Sequence, residues 1–156
     1  MISEIELKKA ILDLLKTKYP PESYKYYGIE VSEGCKRPSF FVDMRLEKEQ
    51  DATANLIKKE YAVYITYFAE KVNETDNLKK VEEIRQLLRC TDNKKRKRDM
   101  TIKVKGRYIK IENYHYGYTG EANNILQIMF DFSFLEFEPE TERAMLMRSV
   151  EITGGE

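Results

Sequence analysis

The residues from about Ile125 to Phe137 read ILQIMFDFSFLEF, and the even positions Leu126, Ile128, Phe130, Phe132 and Phe134 form an unbroken apolar row. A period of two puts all of them on one face of a β-strand, because successive side chains point to opposite faces. Asp131 and Ser133 interrupt the other face. The alternation blurs at Phe134-Leu135-Glu136-Phe137, which predicts a bulge or the end of the strand. A strand this apolar has to pair with others and be covered by another layer.

Two further stretches supply partners. In KKEYAVYITYFAE, Tyr61, Val63, Ile65 and Tyr67 face one way and Ala62, Tyr64, Thr66 and Phe68 the other. Neither face is polar, so this reads as a central strand with its second face covered as well. In EGCKRPSFFVDMRLEK, Gly34 marks a turn and Pro38 opens a strand at its first position, where a missing N–H is tolerated. Phe40, Val42, Met44 and Leu46 point one way, and Phe41, Asp43 and Arg45 the other. The polar residues 47–56 read as a loop. Residues 24–31 predict a short strand, and Met100 to Val104 and Ile109 to Ile111 two more around a turn at Gly106. YHYGYTGEANN has the glycines of a longer turn. The tail after Phe137 predicts a helical turn and a short strand, with residues 150–156 flexible.

Two helices complete the pattern. Ser3 and Glu6 form a capping box, with Ile2 and Leu7 placed as its hydrophobic staple. Ile5, Leu7, Ala10, Ile11, Leu12, Leu14 and Leu15 cover more of this helix than one packed face needs. Tyr19-Pro20-Pro21 ends it. The second helix starts from Asn73 or Thr75 as cap and carries Leu78, Val81, Ile84, Leu87 and Leu88 as its core stripe. Lys79, Lys80, Glu82, Glu83 and Arg85 form its wet side. The order is helix, three strands, helix, three strands. It predicts one α+β domain over residues 1–156: a mainly antiparallel or mixed sheet with both helices packed on one face.

The chemistry of catalysis is thin. His115 is the one histidine, which excludes paired-histidine metal sites, and its tyrosine-rich surroundings suggest a solvent-facing or tyrosine-bonded ring. Cys35 and Cys90 match no metal or redox spacing and read as free thiols. GYTGEAN lacks the Lys-Ser/Thr end of a phosphate loop. Asp43 and Asp131 could form a carboxylate pair, but as strand residues they are better read as wet-face groups, salt-bridged to Arg45 or a lysine. No catalytic residue, cofactor or metal is expected.

Lysine plus arginine balances aspartate plus glutamate at 27 each, so no global attraction to nucleic acid follows. The chain shows neither a membrane helix nor a signal peptide, and is expected to remain in a cytoplasm. The local exception is KKRKR, Lys94, Lys95, Arg96, Lys97 and Arg98, expected as an exposed loop. It suits an acidic partner protein better than nucleic acid, since no aromatic residues are interleaved to stack bases.

The opening MISEIELKKAILDLLKTKYP, then EVSEGCKRPSFFVDM, then KKEYAVYITYF together resemble the tail terminator proteins of contractile-tailed phages and phage-tail-like bacteriocins of Gram-positive bacteria. Gly34, Pro38, Phe40 and Phe41 carry the likeness, which spans roughly the first 70 residues. The resemblance implies a structural protein of the virion tail, assembled in the bacterial host cytoplasm. It implies a homohexameric ring at the head-proximal end of the tail tube that ends tube and sheath polymerisation and presents the surface joining the neck. The partners would be further copies, tail tube, tail sheath and a neck or connector protein, with DNA only passing through and no membrane. Phe41, Tyr64 and Phe68 would then lie at the subunit interface, and Lys94–Arg98 would contact a partner. The rival readings are another ring-forming head–tail connector or neck protein, and a nucleic-acid-binding accessory protein using the basic run.

Overall fold

A computed structural model describes residues 2–28, 38–91 and 97–137. The elements run α1 (Glu4–Lys18), β1 (Lys25–Tyr27), β2 (Ser39–Thr53), β3 (Leu56–Phe68), α2 (Glu74–Leu88), β4 (Arg89–Thr91), β5 (Lys97–Val104), β6 (Arg107–Thr119) and β7 (Ile125–Phe137). The strands form one seven-stranded sheet in the order β1-β2-β3-β7-β6-β5-β4. β1 runs parallel to β2 and every other pairing is antiparallel, so the fold is α+β with a mixed sheet.

The apolar row of β7 organises the core. Leu126, Ile128, Phe130, Phe132 and Phe134 are all buried, and β7 sits between β3 and β6 at the centre of the sheet. Each fully buried side chain of this kind contributes about 1.5–3 kcal/mol by leaving water. The register aligns them with the buried faces of the neighbours: Tyr61 opposite Phe132, Val63 opposite Phe130, Ile65 opposite Ile128. On β2, Phe40 and Val42 continue the same layer. Leu7, Ile11 and Leu15 of α1 and Val81, Ile84 and Leu88 of α2 close it, so both helices lie on this face.

The helix signals resolve into bonds. Glu6 N donates to Ser3 Oγ at 3.2 Å and Ser3 N to Glu6 Oε2 at 2.9 Å, a complete capping box. Asn73 caps α2, its Oδ1 accepting from Thr75 N at 3.0 Å. The wide apolar surface of α1 divides: Leu12 and Leu14 pack half-buried against the core, while Ile5 is 81% exposed.

Several expectations need correction. Residues 47–56 form no loop: β2 continues to Thr53 and β3 begins at Leu56, joined through Ala54-Asn55 in a long hairpin. Its β2 side is exposed along the whole length, so it carries no apolar alternation to announce a strand. Backbone pairing holds it, with β7 supporting β3 as far as Leu56 opposite Phe137. Of the two outcomes expected at the blurred end of β7, it is the strand end that occurs, at Phe137, and not a bulge. The ladder to β3 stays regular, and Glu136 takes an inward position. There it is 3% exposed, accepting from Ile2 N at 3.0 and 3.1 Å and from Arg107 Nη1 at 3.2 Å. A paired carboxylate substitutes for an apolar residue in the row.

Lys80 is not on a wet side. It is 5% exposed, with its ammonium over the rings of Tyr19, Tyr24 and Tyr67 at 5.4, 5.7 and 5.2 Å. The Gly34 turn, Cys35, and the elements expected after Phe137 lie outside the described residues, as does the flexible end expected at 150–156.

Candidate functional site

The residues weighed for chemistry do not converge. Asp43 on β2 stands opposite Tyr64 of β3, and Asp131 on β7 opposite Ala62, so the two aspartates are separated by the whole of β3. Each has its own neighbour: Arg45 Nε is 3.0 Å from Asp43, and Asn113 Nδ2 donates to Asp131 at 3.1 Å. They form no acid–base pair. His115 lies within β6, not in a turn, exposed and with Nδ1 2.6 Å from the Asn113 carbonyl oxygen. Cys90 falls in β4, and among the described residues no group of histidine, cysteine and acidic side chains is arranged to hold a metal.

What the fold does build is a broad sheet face on the side away from the helices. Phe41, Tyr64 and Phe68 share it, as period two requires, and all three are half-buried. Arg45 covers the Tyr64 ring at 5.0 Å, which flattens this part of the face and keeps its charge beside Asp43. Met129 and Gln127 of β7 extend the surface on the far side of β3.

The same face holds an acidic groove of about 370 Å³ lined by Glu47, Glu60, Tyr64, Glu112, Asp131 and Ser133. Four strands contribute to it, and two local devices shape it. Glu47 follows Phe41, Asp43 and Arg45 onto this face, and a register shift between Leu46 and Lys48 sets Lys48 opposite Glu60 beside it. A second shift, between Glu112 and His115, is made by Asn113 at φ 59°, a left-handed conformation that asparagine tolerates. Lys58 offsets Glu60 at 3.4 Å, yet carboxylates dominate the lining. Such a groove favours cationic groups, and nothing in it resembles a nucleophile with its base.

The basic run divides between two settings. Lys94, Lys95 and Arg96 lie outside the described residues, whereas Lys97 and Arg98 begin β5. Lys97 and Arg98 are thus in a strand and not in the expected loop, because Thr91 of β4 pairs with Lys97. Phe41, Tyr64 and Phe68 were legible as one face from alternation. The groove was not, since its residues come from two pairs of strands far apart in sequence that only the sheet order brings together.

Among the described residues no helix is long and apolar enough to cross a membrane. A protein-family model described as phage tail terminator protein matches residues 6–144. No curated protein matches the chain.

Proposed function

The chain belongs to the phage tail terminator protein family, and from that premise we propose that it caps the head-proximal end of the tail tube as a ring of identical copies. Membership makes it a structural protein of the phage tail that works with other tail proteins. The finer reading is a single domain assembled six to a ring in the host cytoplasm. That ring ends tube polymerisation, anchors the last ring of a contractile sheath and offers a joining surface to the neck, with DNA passing through its middle.

The observation that supports it is the face with Phe41, Tyr64 and Phe68, left half-buried on the side opposite both helices. An antiparallel sheet can leave one face to water when that face is polar. Here three aromatic side chains occupy part of it beside the acidic groove, which suits a surface covered by another subunit. In a ring each copy meets the next through two different surfaces, and the rotation closes. The β2–β3 hairpin, with Leu135 and Phe137 exposed beside it, supplies a second, projecting surface of the kind a head-to-tail contact uses. The basic run Lys94–Arg98 then contacts an acidic surface of a partner tail protein.

Native mass spectrometry of the purified protein, alone and mixed with tail tubes, tests the ring. A closed oligomer in either sample supports the reading. A monomer in both, with no retention on tubes, contradicts it.

A further inference from the structure

We infer that identical copies join edge to edge, β2 of one pairing with β6 of the next as neighbouring strands of a shared sheet. The inference rests on the ring reading and names the contact through which the ring closes.

The sheet has two open stretches of edge. β1 pairs with β2 only as far as Phe41. Among the described residues, residues 42–53 of β2 therefore have β3 on one side and no strand on the other. β5 pairs with β6 only at residues 107–110. Among the described residues, residues 111–119 of β6 have β7 on one side and no strand on the other. Open edges of this length recruit further strands.

Their directions match. Three antiparallel pairings lead from β2 through β3 and β7 to β6, so β2 and β6 run in opposite directions. A second copy whose sheet continues the first presents its β6 antiparallel to β2. Each copy gives a different edge to each neighbour, the heterologous contact that a ring requires. With the copies level, β1 would meet residues 117–119 of the neighbour, and the neighbour's β5 would meet β2 beyond Leu46. A slide of about four residues, roughly 13 Å, clears both obstacles. It sets Met44 opposite Tyr118 and Leu46 opposite Tyr116. Closing a sheet on itself requires a stagger of this kind.

Backbone alternation selects the same residues. Lys105 and Gly106, at φ 49° and 77°, make a two-residue turn that closes on the hydrogen-bonded pair Val104 and Arg107. Counted from that pair through the registers, Met129 and Asp131 bond to β6, and Ala62 and Tyr64 bond to β2. The backbone groups of Met44 and Leu46 on β2, and of Tyr116 and Tyr118 on β6, are left pointing outward. The slid register thus brings outward groups to outward groups.

The side chains agree as well. These four residues lie on the face that carries the core, yet Leu46, Tyr116 and Tyr118 are exposed and Met44 is half-buried. Joined this way, each tyrosine ring covers an aliphatic side chain, and the apolar layer runs on from copy to copy. On the opposite face Arg45 meets Gly117, which sets no side chain against it. Lys48, level with Glu60, stands diagonal to the neighbour's Glu112, within reach of a long side chain.

Disulfide trapping in the full chain tests the contact. Cys35 and Cys90 are changed to serine, and two exposed positions are changed together, Leu46→Cys and Tyr116→Cys. Within one chain three strand spacings, about 14 Å, separate these positions, so a disulfide between them has to link two copies. The protein is oxidised alone and on tail tubes, beside native mass spectrometry of both samples. The expected result is a ladder of covalent multimers, several-fold stronger than from the off-register pair Leu46→Cys with Tyr118→Cys. Met44→Cys with Tyr118→Cys should give the strong ladder again. A closed oligomer without the ladder, or with equal ladders from both registers, would overturn this contact and leave the ring standing. A monomer in both samples would overturn the contact and the ring together.

Discussion

The ammonium of Lys80 lies 3.1 Å from the carboxylate of Asp76, one helical turn earlier on α2, and Tyr67 Oη donates to the same carboxylate at 2.9 Å. The lysine is buried among three tyrosine rings that belong to the loop after α1, to the chain before β1 and to β3. One side chain thereby ties α2 to the sheet and to the end of α1.

Lys80→Met keeps most of the volume and removes the charge. It leaves Asp76 with Tyr67 alone and forfeits the attraction of the cation to the rings, worth about 1–2 kcal/mol when desolvated. The expected loss of stability is about 2 kcal/mol, read from the midpoint of urea unfolding. An unchanged midpoint would show the cage to be indifferent to the charge.

Glu136 makes a second prediction. Its buried carboxylate holds the Ile2 amide and Arg107 together, and hydrogen bonds to charged groups contribute about 1.5–3 kcal/mol. Glu136→Ala should cost roughly 2 kcal/mol and release the first residues of the chain. Hydrogen exchange should then rise at Ile2 and in the first turn of α1, more than at the centre of β7.

Alkaline pH should unfold the protein from a defined point. Burial raises the phenol pKa of Tyr19, Tyr61 and Tyr67 above the ordinary value, and hydrogen bonds to Glu83, Glu4 and Asp76 raise them further. A raised pKa in the folded state means the native protein keeps protons that the unfolded chain gives up. Stability from this source is complete below about pH 10 and is lost as pH rises beyond it, by at most about 1.4 kcal/mol per unit for each tyrosine. Tyr67→Phe should make the alkaline slope of the unfolding midpoint shallower. On the acid side, the contact with Lys105 holds Glu6 below the ordinary carboxylate range. That contribution is present above the usual range and fades as pH falls through the lowered value.

The β2–β3 hairpin should tolerate shortening in the isolated subunit. The part of β2 from Glu47 to Thr53 is exposed, and the hairpin's link to the core is through β3 and β7. Deleting residues 51–57 and rejoining the strands through a two-residue turn should change the thermal midpoint little. It should nonetheless reduce incorporation into tails, measured by immunoblotting of purified particles.

The buried layer was readable because one period suffices for it: β7, the sheet face of β3 and the caps at Ser3 and Asn73 all follow from local spacing. The failures share a cause. The hairpin strands have polar residues on both faces, so only pairing to β7 defines them. Lys80 reads as wet on a helical wheel because a wheel does not show tyrosines arriving from three other segments. Glu136 disturbs the alternation at the end of β7, and the Ile2 amide that explains it is more than a hundred residues away. The aromatic face was legible, and the groove beside it was hidden because sheet order, not local spacing, brings β2 and β3 against β7 and β6.

Tail length, measured by electron microscopy in a host producing the Phe41→Asp, Tyr64→Asp chain in place of the natural one, tests the central claim most directly. The account predicts tubes of irregular, extended length without attached heads, while the purified variant stays folded. Particles of normal, uniform length would contradict it.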